Sequence, residues 1–533
     1  MTGTSPEVAV DQIEVQASVF AFLANPATHR RGAVGGGIGR HDRAEVTRID
    51  THGAVVFLAG PDAYKIKRAV HFPFMDFSTL EKRRAACEHE MDVNSRNAPA
   101  LYRGTVAIRR DADGLHLGGD KGTIVEWAVH LHRFDETRTL DRLADAGALG
   151  LDLMLPLAEI IAASHERAPL CGDGGNATRM LRSRLQDTLN AVTAAKDIFD
   201  AQAAAAFRDT SLALFAAIEP RLAAREKAGF VRLCHGDLHL RNIVLHADRP
   251  VLFDAIEFDD SIATCDILYD FAFVLMDLWQ RDLHTQANRL FNLYLWRSRD
   301  IDALLDGLVA LPLFLALRAA IRARVTAALS RLEPEGRAKR IAEAQRFFAA
   351  AQDFLTSRPP RLIALGGLSG SGKSTLGTAL ASAVDSAPGA VHLRSDIERK
   401  RHFGGGLHER LPDEAYQPEI TLEVYERLRS LATRALQAGH SVVVDAVHAK
   451  AEERDAVADL AERLNVAFTG LWLDAPAATL LARVETRTND ASDAKAPIVR
   501  EQLGWDLGPM RWHKLDAALP LDDLTELAVK AIG

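Results

Sequence analysis

A chain of 533 residues exceeds one ordinary hydrophobic core and calls for about three lobes of roughly 100–200 residues each. An apolar share of 48%, a charged share of 26% and a net charge of −8 describe a folded, soluble chain. They argue against an extended nucleic-acid-binding surface, which needs a basic excess. Four scattered cysteines (Cys87, Cys171, Cys234, Cys265) form no C-x-x-C pair, which argues against a disulfide framework or zinc site and fits a reducing, cytoplasmic setting.

The N-terminus carries Glu7 and Asp11 and no basic region followed by an apolar run, so no signal peptide is expected. Residues 1–44 read as a helical and flexible segment. It ends in Gly35-Gly36-Gly37-Ile38-Gly39, a connector rather than a nucleotide loop, because it neither follows an apolar strand nor fits G-x-G-x-x-G. From residue 45 the pattern is β: 46–49, 55–58 and 63–67 predict three short strands, and Ser78-Thr79-Leu80-Glu81 has the spacing of a capping box opening a charged helix to about 94. Further strands are expected at 106–109 and 122–130 around a turn at 111–114. Residues 140–229 are almost continuously helical, 230–258 form a strand-and-loop island, and helices resume from about 267 to 355. A small β lobe (about 45–130) before a helical lobe (about 131–355) implies a bilobal α+β domain with a cleft.

The longest apolar run, near 307–317, is stopped by Arg318, short of the about 20 residues a membrane span needs. Residues 356–360, with paired prolines, read as a linker. Beyond it, strands expected at 361–365, 391–393, 441–444 and 467–473 alternate with amphipathic helices. That rhythm predicts an α/β domain over 361–533, a parallel sheet covered on both faces.

Gly367-Leu368-Ser369-Gly370-Ser371-Gly372-Lys373-Ser374 fits GxxxxGK[ST] after an apolar strand and before a helix beginning at Thr375. The glycines let backbone N–H groups curl around the phosphates of ATP, and the helix N-terminus adds its partial positive charge. Lys373 would reach the β- and γ-phosphates and Ser374 would ligate Mg²⁺. Asp396, at the end of the second strand, is placed to take the proton of an acceptor hydroxyl, and Arg399, one turn on, to hold an acceptor anion. Asp445 ends a buried strand and is suited to hold Mg²⁺ through water. Arg483 and Arg487 share a helix face before a polar stretch, 488–495, that reads as a lid; Arg487 is the candidate to neutralise the transferring phosphoryl group. Together these residues resemble the P-loop kinases that include the 5′-kinase domain of polynucleotide kinase, chloramphenicol phosphotransferase and zeta-toxin-type kinases. The resemblance covers 361–533. Ser395-Asp396-x-x-Arg399 looks like that family's acceptor-side pair, and the acceptor varies among its members.

His235-Gly236-Asp237-Leu238-His239-Leu240-Arg241-Asn242 places an Asp and an Asn five apart, the spacing of a base and a Mg²⁺ ligand in a kinase catalytic loop, and the strand 251–253 delivers Asp254 as a second ligand. From about 45 to 355 the chain resembles the aminoglycoside phosphotransferase family, distant relatives of protein kinases. The resemblance implies Asp237 as catalytic base and Asn242 and Asp254 as metal ligands. It also implies that Cys265-Asp266 to Asp270-Phe-Ala272 is the family's structural segment, with Cys265 and Ile267 departing from its pattern. One of Lys65 and Lys67 should pair with the phosphates and with Glu90; Lys65 is preferred because it directly follows the apolar-aromatic pair of its strand. By position, 125–128 would be the hinge against adenine, the turn 50–54 would cover the phosphates, and His165 would be packed rather than catalytic.

The expectation is a bifunctional ATP- and Mg²⁺-dependent phosphotransferase acting on small-molecule or 5′-hydroxyl acceptors. Two alternatives stand beside it: a single P-loop kinase with an upstream substrate-binding or regulatory module, and a nucleotide-switched, ATP-hydrolysing binding protein.

Overall fold

The computed structural model describes residues 10–31, 45–72, 75–171, 176–332, 335–356, 358–407, 409–486 and 491–533. The expected connector 35–39 and Arg487 lie outside the described residues. Packing separates the chain into two compact units. The first takes the described residues up to Leu149 with Ala163–Ala177 and Gly229–Asp270. The second takes Gly150–Ala162, Thr178–Ala228 and Phe271–Gly533, so helices upstream of the 356–360 linker share a unit with the α/β sheet.

In the first unit, β1 (Val46–Asp50), β2 (Ala54–Ala59), β3 (Asp62–Lys67), β4 (Tyr102–Asp111), β5 (Gly114–Leu117) and β6 (Thr123–His132) form an antiparallel sheet in the order β1-β2-β3-β6-β4-β5. Helix α1 (Val10–Ala24) covers one face: Val19 and Leu23 pack on Val55, Phe57, Ile66, Ile108 and Ala128. Helix α2 (Leu80–Asn94) carries Cys87, which packs with Leu101, Tyr102 and Val129. Its cap is Thr79, whose Oγ1 accepts from Lys82 N at 3.3 Å, because Ser78 spends its hydroxyl on Asp76 at 2.6 Å. The cap therefore sits one residue later than expected, and with Lys82 at its third position it is a single Thr79 cap rather than the expected capping box.

The 125–128 segment is not a hinge. It lies inside β6, where Glu126 pairs with Ile108 and Ala128 with both Val106 and Ile66, so its backbone is committed to the sheet. The Glu126 side chain is buried against Arg83 Nε at 2.9 Å and Gln16 Nε2 at 2.7 Å. Short strand pairs flank it: His71–Phe72 pairs with Met75–Asp76, β7 (Val231–Leu233) with β10 (Thr264–Asp266), and β8 (Ile243–His246) with β9 (Arg249–Leu252).

The second unit holds a parallel sheet of β11 (Arg361–Gly366), β12 (Val391–Arg394), β13 (Val442–Asp445), β14 (Ala467–Asp474) and β15 (His513–Asp516), ordered β12-β13-β11-β14-β15. β15 escapes the sequence pattern because an edge strand reading His-Lys-Leu-Asp has one buried residue and no apolar run. The stretch Ile301–Arg331 is long and apolar enough by composition to cross a membrane, yet it is largely buried inside the protein, with Leu311, Leu313, Phe314 and Ala316 fully inaccessible.

An exposed strand edge must find partners for its N–H and C=O groups. β12, the edge of the parallel sheet, finds them on helix α3 (His284–Arg297). Asn288, Asn292 and Trp296 lie four apart and therefore on one face. Asn288 Nδ2 donates to Pro388 O and Ala390 O, both at 3.0 Å, and Asn292 Nδ2 donates to Ala390 O at 3.1 Å. His392 N donates to Asn292 Oδ1 at 2.7 Å, and Trp296 Nε1 donates to His392 O at 3.2 Å. Side-chain amides thus stand where another strand would pair. Ion pairs extend the seam, with Asp302 accepting from Arg427 at 2.7 Å and from Arg434 at 2.9 Å. Each buried backbone group left without a partner costs about 1–3 kcal/mol. We expect Asn292→Ala to lower stability by about 2–4 kcal/mol in urea unfolding, and a chain begun at residue 357 to associate through its bared edge in ultracentrifugation. A stable monomer from that truncation would contradict the seam's role.

Candidate active sites

In the first unit, the two-residue period of β3 puts Lys65 and Lys67 on one face, toward Glu90 of α2. Glu90 is fully buried and ion-pairs with both: Oε1 accepts from Lys65 Nζ at 2.9 Å, and Oε2 lies 2.5 Å from Lys67 Nζ. Lys65 reaches on to Asp254 Oδ1 at 2.6 Å, and Lys67 to Glu257. Burial pushes the Glu90 and Asp254 carboxyls up, but the lysines more than offset it and hold both below their ordinary values. Burial likewise depresses the two ammoniums, and the facing carboxylates reverse it, raising both. Asp254 comes after β9 in the left-handed region, φ 60°, and its N–H donates to Tyr102 Oη at 3.3 Å.

The loop after β7 presents Asp237 and Asn242. Asn242 Nδ2 donates to Asp237 Oδ2 at 2.9 Å and to Asp237 O at 3.0 Å. The loop is held from behind by fully buried Asp270, whose Oδ1 accepts from Gly236 N at 2.8 Å and whose Oδ2 accepts from His235 N at 3.3 Å. His165 Nε2 lies 3.2 Å from the same Oδ2, so His165 is packed as a support. Gly236 is at φ 80°, and a Cβ there would meet Ala263 Cα at 3.1 Å, which reserves the position for glycine.

In the second unit, the loop between β11 and helix α4 (Lys373–Ala383) carries Gly367, Leu368, Ser369, Gly370, Ser371 and Gly372. Gly370 has φ 84°, and a Cβ on it would lie 2.6 Å from Leu480 O. Ser369 N donates to Gln502 Oε1 at 2.8 Å. Lys373 Nζ donates to Gly367 O at 2.7 Å and Leu368 O at 3.1 Å, arching back over its own loop. Ser374 Oγ donates to Asp445 Oδ2 at 2.7 Å. Burial pushes the Asp445 carboxyl up, while His392, Arg394 and Lys373 pull it well below the usual range. A cleft of about 1500 Å³ opens here and brings together residues 369–375 with Asp396, Arg399, Asp445 and Arg483.

Asp396 and Arg399 stand on helix α5 (Ser395–His402). Arg399 NH1 donates to Ala415 O, NH2 donates to Thr421 Oγ1 at 3.3 Å, and the guanidinium lies 5.1 Å from the Tyr416 ring centre. Helix α6 (Pro418–Gln437) supplies Thr421, and helix α7 (Ala451–Leu464) comes after β13. Helix α8 (Ala477–Thr486) supplies Arg483, whose NH1 donates to Ser371 O at 3.4 Å and NH2 to Ala517 O at 2.8 Å.

Residues 104–306 match the family described as phosphotransferase enzyme family (APH), and residues 362–505 match the AAA domain AAA_33. The chain joins a phosphotransferase-family domain to a P-loop kinase-type domain. Over 484 residues it is 28% identical to uncharacterized proteins of Mycobacterium tuberculosis and Mycobacterium bovis, covering 88% of this chain and 92% of theirs. Among solved structures it is similar to a gluconokinase from Sinorhizobium meliloti, at 26% identity over 33% of this chain and 93% of that one, TM-score 0.24. It is also similar to a choline/ethanolamine kinase family protein from Mesorhizobium loti, at 13% identity over 64% of this chain and 99% of that one, TM-score 0.37.

In the phosphotransferase-family domain the structure brings Lys65, Glu90 and Asp254 into one ion-pair chain, and Asp237 and Asn242 into another contact. Asp237 is close enough to push the Asp254 carboxyl upward against the lysines. In the P-loop domain Ser374 and Asp445 meet directly. Sequence reasoning missed Glu257, three residues past Asp254, and treated Lys65 and Lys67 as competitors where Glu90 binds both.

Lys67 is buried between two carboxylates, so Lys67→Met would strand them, and we expect it to cost about 3–5 kcal/mol in chemical unfolding. The lowered carboxyl of Glu90 contributes stability above the ordinary carboxylate pKa and loses it as pH falls through the lowered value. The raised Lys67 contributes below about pH 10.4 and loses it as pH rises through the raised value. The stability gap between native protein and variant should therefore stay level from about pH 6 to 9 and shrink below about pH 4.

Proposed function

We propose that the chain is a bifunctional phosphotransferase, each domain moving the γ-phosphoryl group of MgATP to a hydroxyl acceptor, a small molecule or a 5′-hydroxyl. The observation that carries this reading is that each domain assembles its own set: Lys65–Glu90, Asp254 and Asp237–Asn242 in one, Lys373, Ser374–Asp445 and Asp396 in the other. The hard oxygens of Asp254 with Asn242, and of Ser374 with Asp445, suit Mg²⁺, which when bound neutralises phosphate charge.

In the phosphotransferase-family domain, Asp237 takes the acceptor's proton. Asn242 spends its Nδ2 on orienting Asp237 and leaves its carbonyl oxygen to ligate metal. Lys65, linked to Glu90 and Asp254, is the phosphate lysine, while Lys67 is the structural one. In the P-loop domain the loop amides of Gly367–Ser374 and Lys373 hold the nucleotide's phosphates. Asp396 takes the proton, Arg399 and Arg487 counter the negative charge, and Asp445 holds the metal with Ser374.

A second reading, in which the upstream domain only binds, draws on one observation. In the turn 50–54, expected over the phosphates, Thr51 N donates to Ala54 O at 2.9 Å and Ala54 N donates to Thr51 Oγ1 at 3.0 Å, so both amides are occupied.

Lys373→Ala and Asp237→Asn, assayed on antibiotics, sugars, nucleosides and 5′-hydroxyl oligonucleotides with labelled ATP, should each remove a different transfer activity, by about 10²–10⁴-fold. Asp396→Asn should suppress P-loop transfer to a similar degree with MgATP binding kept. If Asp237→Asn leaves every transfer intact, the binding-module reading replaces the bifunctional one; ATP loss that yields free phosphate alone would favour a nucleotide switch.

A further inference from the structure

Between α5 and α6, the described residues 403–407 and 409–417 contain one short 3₁₀ turn, Asp413–Tyr416, and carry Gly404-Gly405-Gly406 near their start. Such a segment lacks the ladders that would fix its own position. Yet it supplies two of the contacts on Arg399: the carbonyl of Ala415 and the ring of Tyr416.

What holds the segment comes from elsewhere in the P-loop domain. Asp493, beyond α8, accepts from three donors with one carboxylate. Oδ2 takes Leu411 N at 3.1 Å and Tyr416 Oη at 2.7 Å, and Oδ1 takes Lys400 Nζ at 3.2 Å. Lys400 Nζ in turn donates to Glu409 O at 2.6 Å. The side chains of Lys400 and Asp493 are 3% and 11% exposed, so solvent screens their attraction little. Burial pushes the Asp493 carboxyl up, and the bonds from Tyr416, Leu411 and Lys400 bring it below its ordinary value, so it is a full acceptor at neutral pH.

Resting on the P-loop kinase reading above, we propose that Asp493 is a positioning residue: it sets the acceptor-side arginine, Arg399, through Tyr416 and the 409–417 segment without touching it. Arg399 NH2 also holds Thr421, so loss of the tie shifts the guanidinium rather than freeing it. A displacement of about 1 Å at a substrate-orienting group costs up to 10²-fold in rate.

The test uses the full chain with Asp493→Ala, Asp493→Glu and Tyr416→Phe. Tyr416 is 38% exposed, so its variant keeps the fold should Asp493→Ala lose it. Arg399 is probed by phenylglyoxal labelling mapped by mass spectrometry, the segment by hydrogen exchange, and MgATP by calorimetry. Transfer is then measured with the acceptor whose phosphorylation Lys373→Ala removes. We expect Asp493→Ala to speed Arg399 labelling several-fold, to accelerate exchange over 411–416, to leave MgATP affinity within about twofold, and to raise acceptor KM about tenfold with a smaller change in kcat. Tyr416→Phe should move the same readouts less, the double variant should be no worse than Asp493→Ala alone, and Asp493→Glu should restore part of the loss. Unchanged Arg399 labelling in both Asp493→Ala and Tyr416→Phe overturns the proposal, as does an equal loss of MgATP and acceptor affinity. If the unaltered protein transfers to no acceptor, the P-loop kinase reading fails while the labelling still decides the role of Asp493.

Discussion

A strand edge buried in a protein must be paired, and the parallel sheet meets that constraint with side chains of a helix rather than another strand. Asn288, Asn292 and Trp296 match the backbone of Ala390 and His392 bond for bond, at 2.7–3.2 Å. The chain runs from β12 directly into α5, the bearer of Asp396 and Arg399, and beside it Arg394 lies 3.6 Å from the Asp445 carboxylate. The positions of Asp396, Arg399 and Asp445 are therefore set on one flank by a helix belonging to the phosphotransferase-family stretch of sequence. The linker at 356–360 separates two sequence families, but packing does not separate there.

The two sites solve the same electrostatic problem by different means. On the proposed function, the neutralising charge in the P-loop domain comes chiefly from backbone amides, whose loop can curl because Gly367, Gly370 and Gly372 adopt φ of 145°, 84° and 92°. Lys373 adds one side-chain cation. In the phosphotransferase-family domain the cation is a side chain that must be kept in a buried place, and a buried ammonium is costly unless paired. Glu90 serves two lysines at once, and Asp254 and Glu257 take the other side of each. On the proposed function, one lysine can then turn to phosphate while the other keeps Glu90 satisfied. A single Lys–Glu pair would leave the carboxylate stranded whenever the lysine moved.

The parts legible in the sequence were those whose chemistry is local. The P-loop spacing, Asp237 with Asn242, and the alternation of β3 each need only a few neighbouring residues: the loop runs from β11 into α4, Asn242 donates to Asp237, and Lys65 and Lys67 both meet Glu90. The parts not legible depend on a distant partner. Helix α1 reads as a segment at the chain's start; only with Ile66 and Ala128 in place is it a wall of the core, its Gln16 donating to Lys67 O at 2.7 Å. Residues 125–128 suited a hinge by position, and it took Arg83 and two neighbouring strands to show them as mid-sheet. Asn288 and Asn292 sit at helical spacing in a helix whose neighbour is about a hundred residues away in sequence.

Asp493 belongs to the same class, and it shows why polar stretches resist sequence reading. A segment of Asn, Asp, Ser, Ala and Lys looks solvated, and most such carboxylates are. What distinguishes this one is that its three donors come from α5, from a loop amide and from a tyrosine, none adjacent to it in the chain. A carboxylate has about four acceptor sites, so it can gather segments that have no ladder to join. Where a glycine-rich segment carries contacts to an arginine that faces the cleft, its order has to be imported. A partly buried acid with several donors is the least bulky way to import it. The polar character that hid Asp493 in the sequence is the property that lets it act.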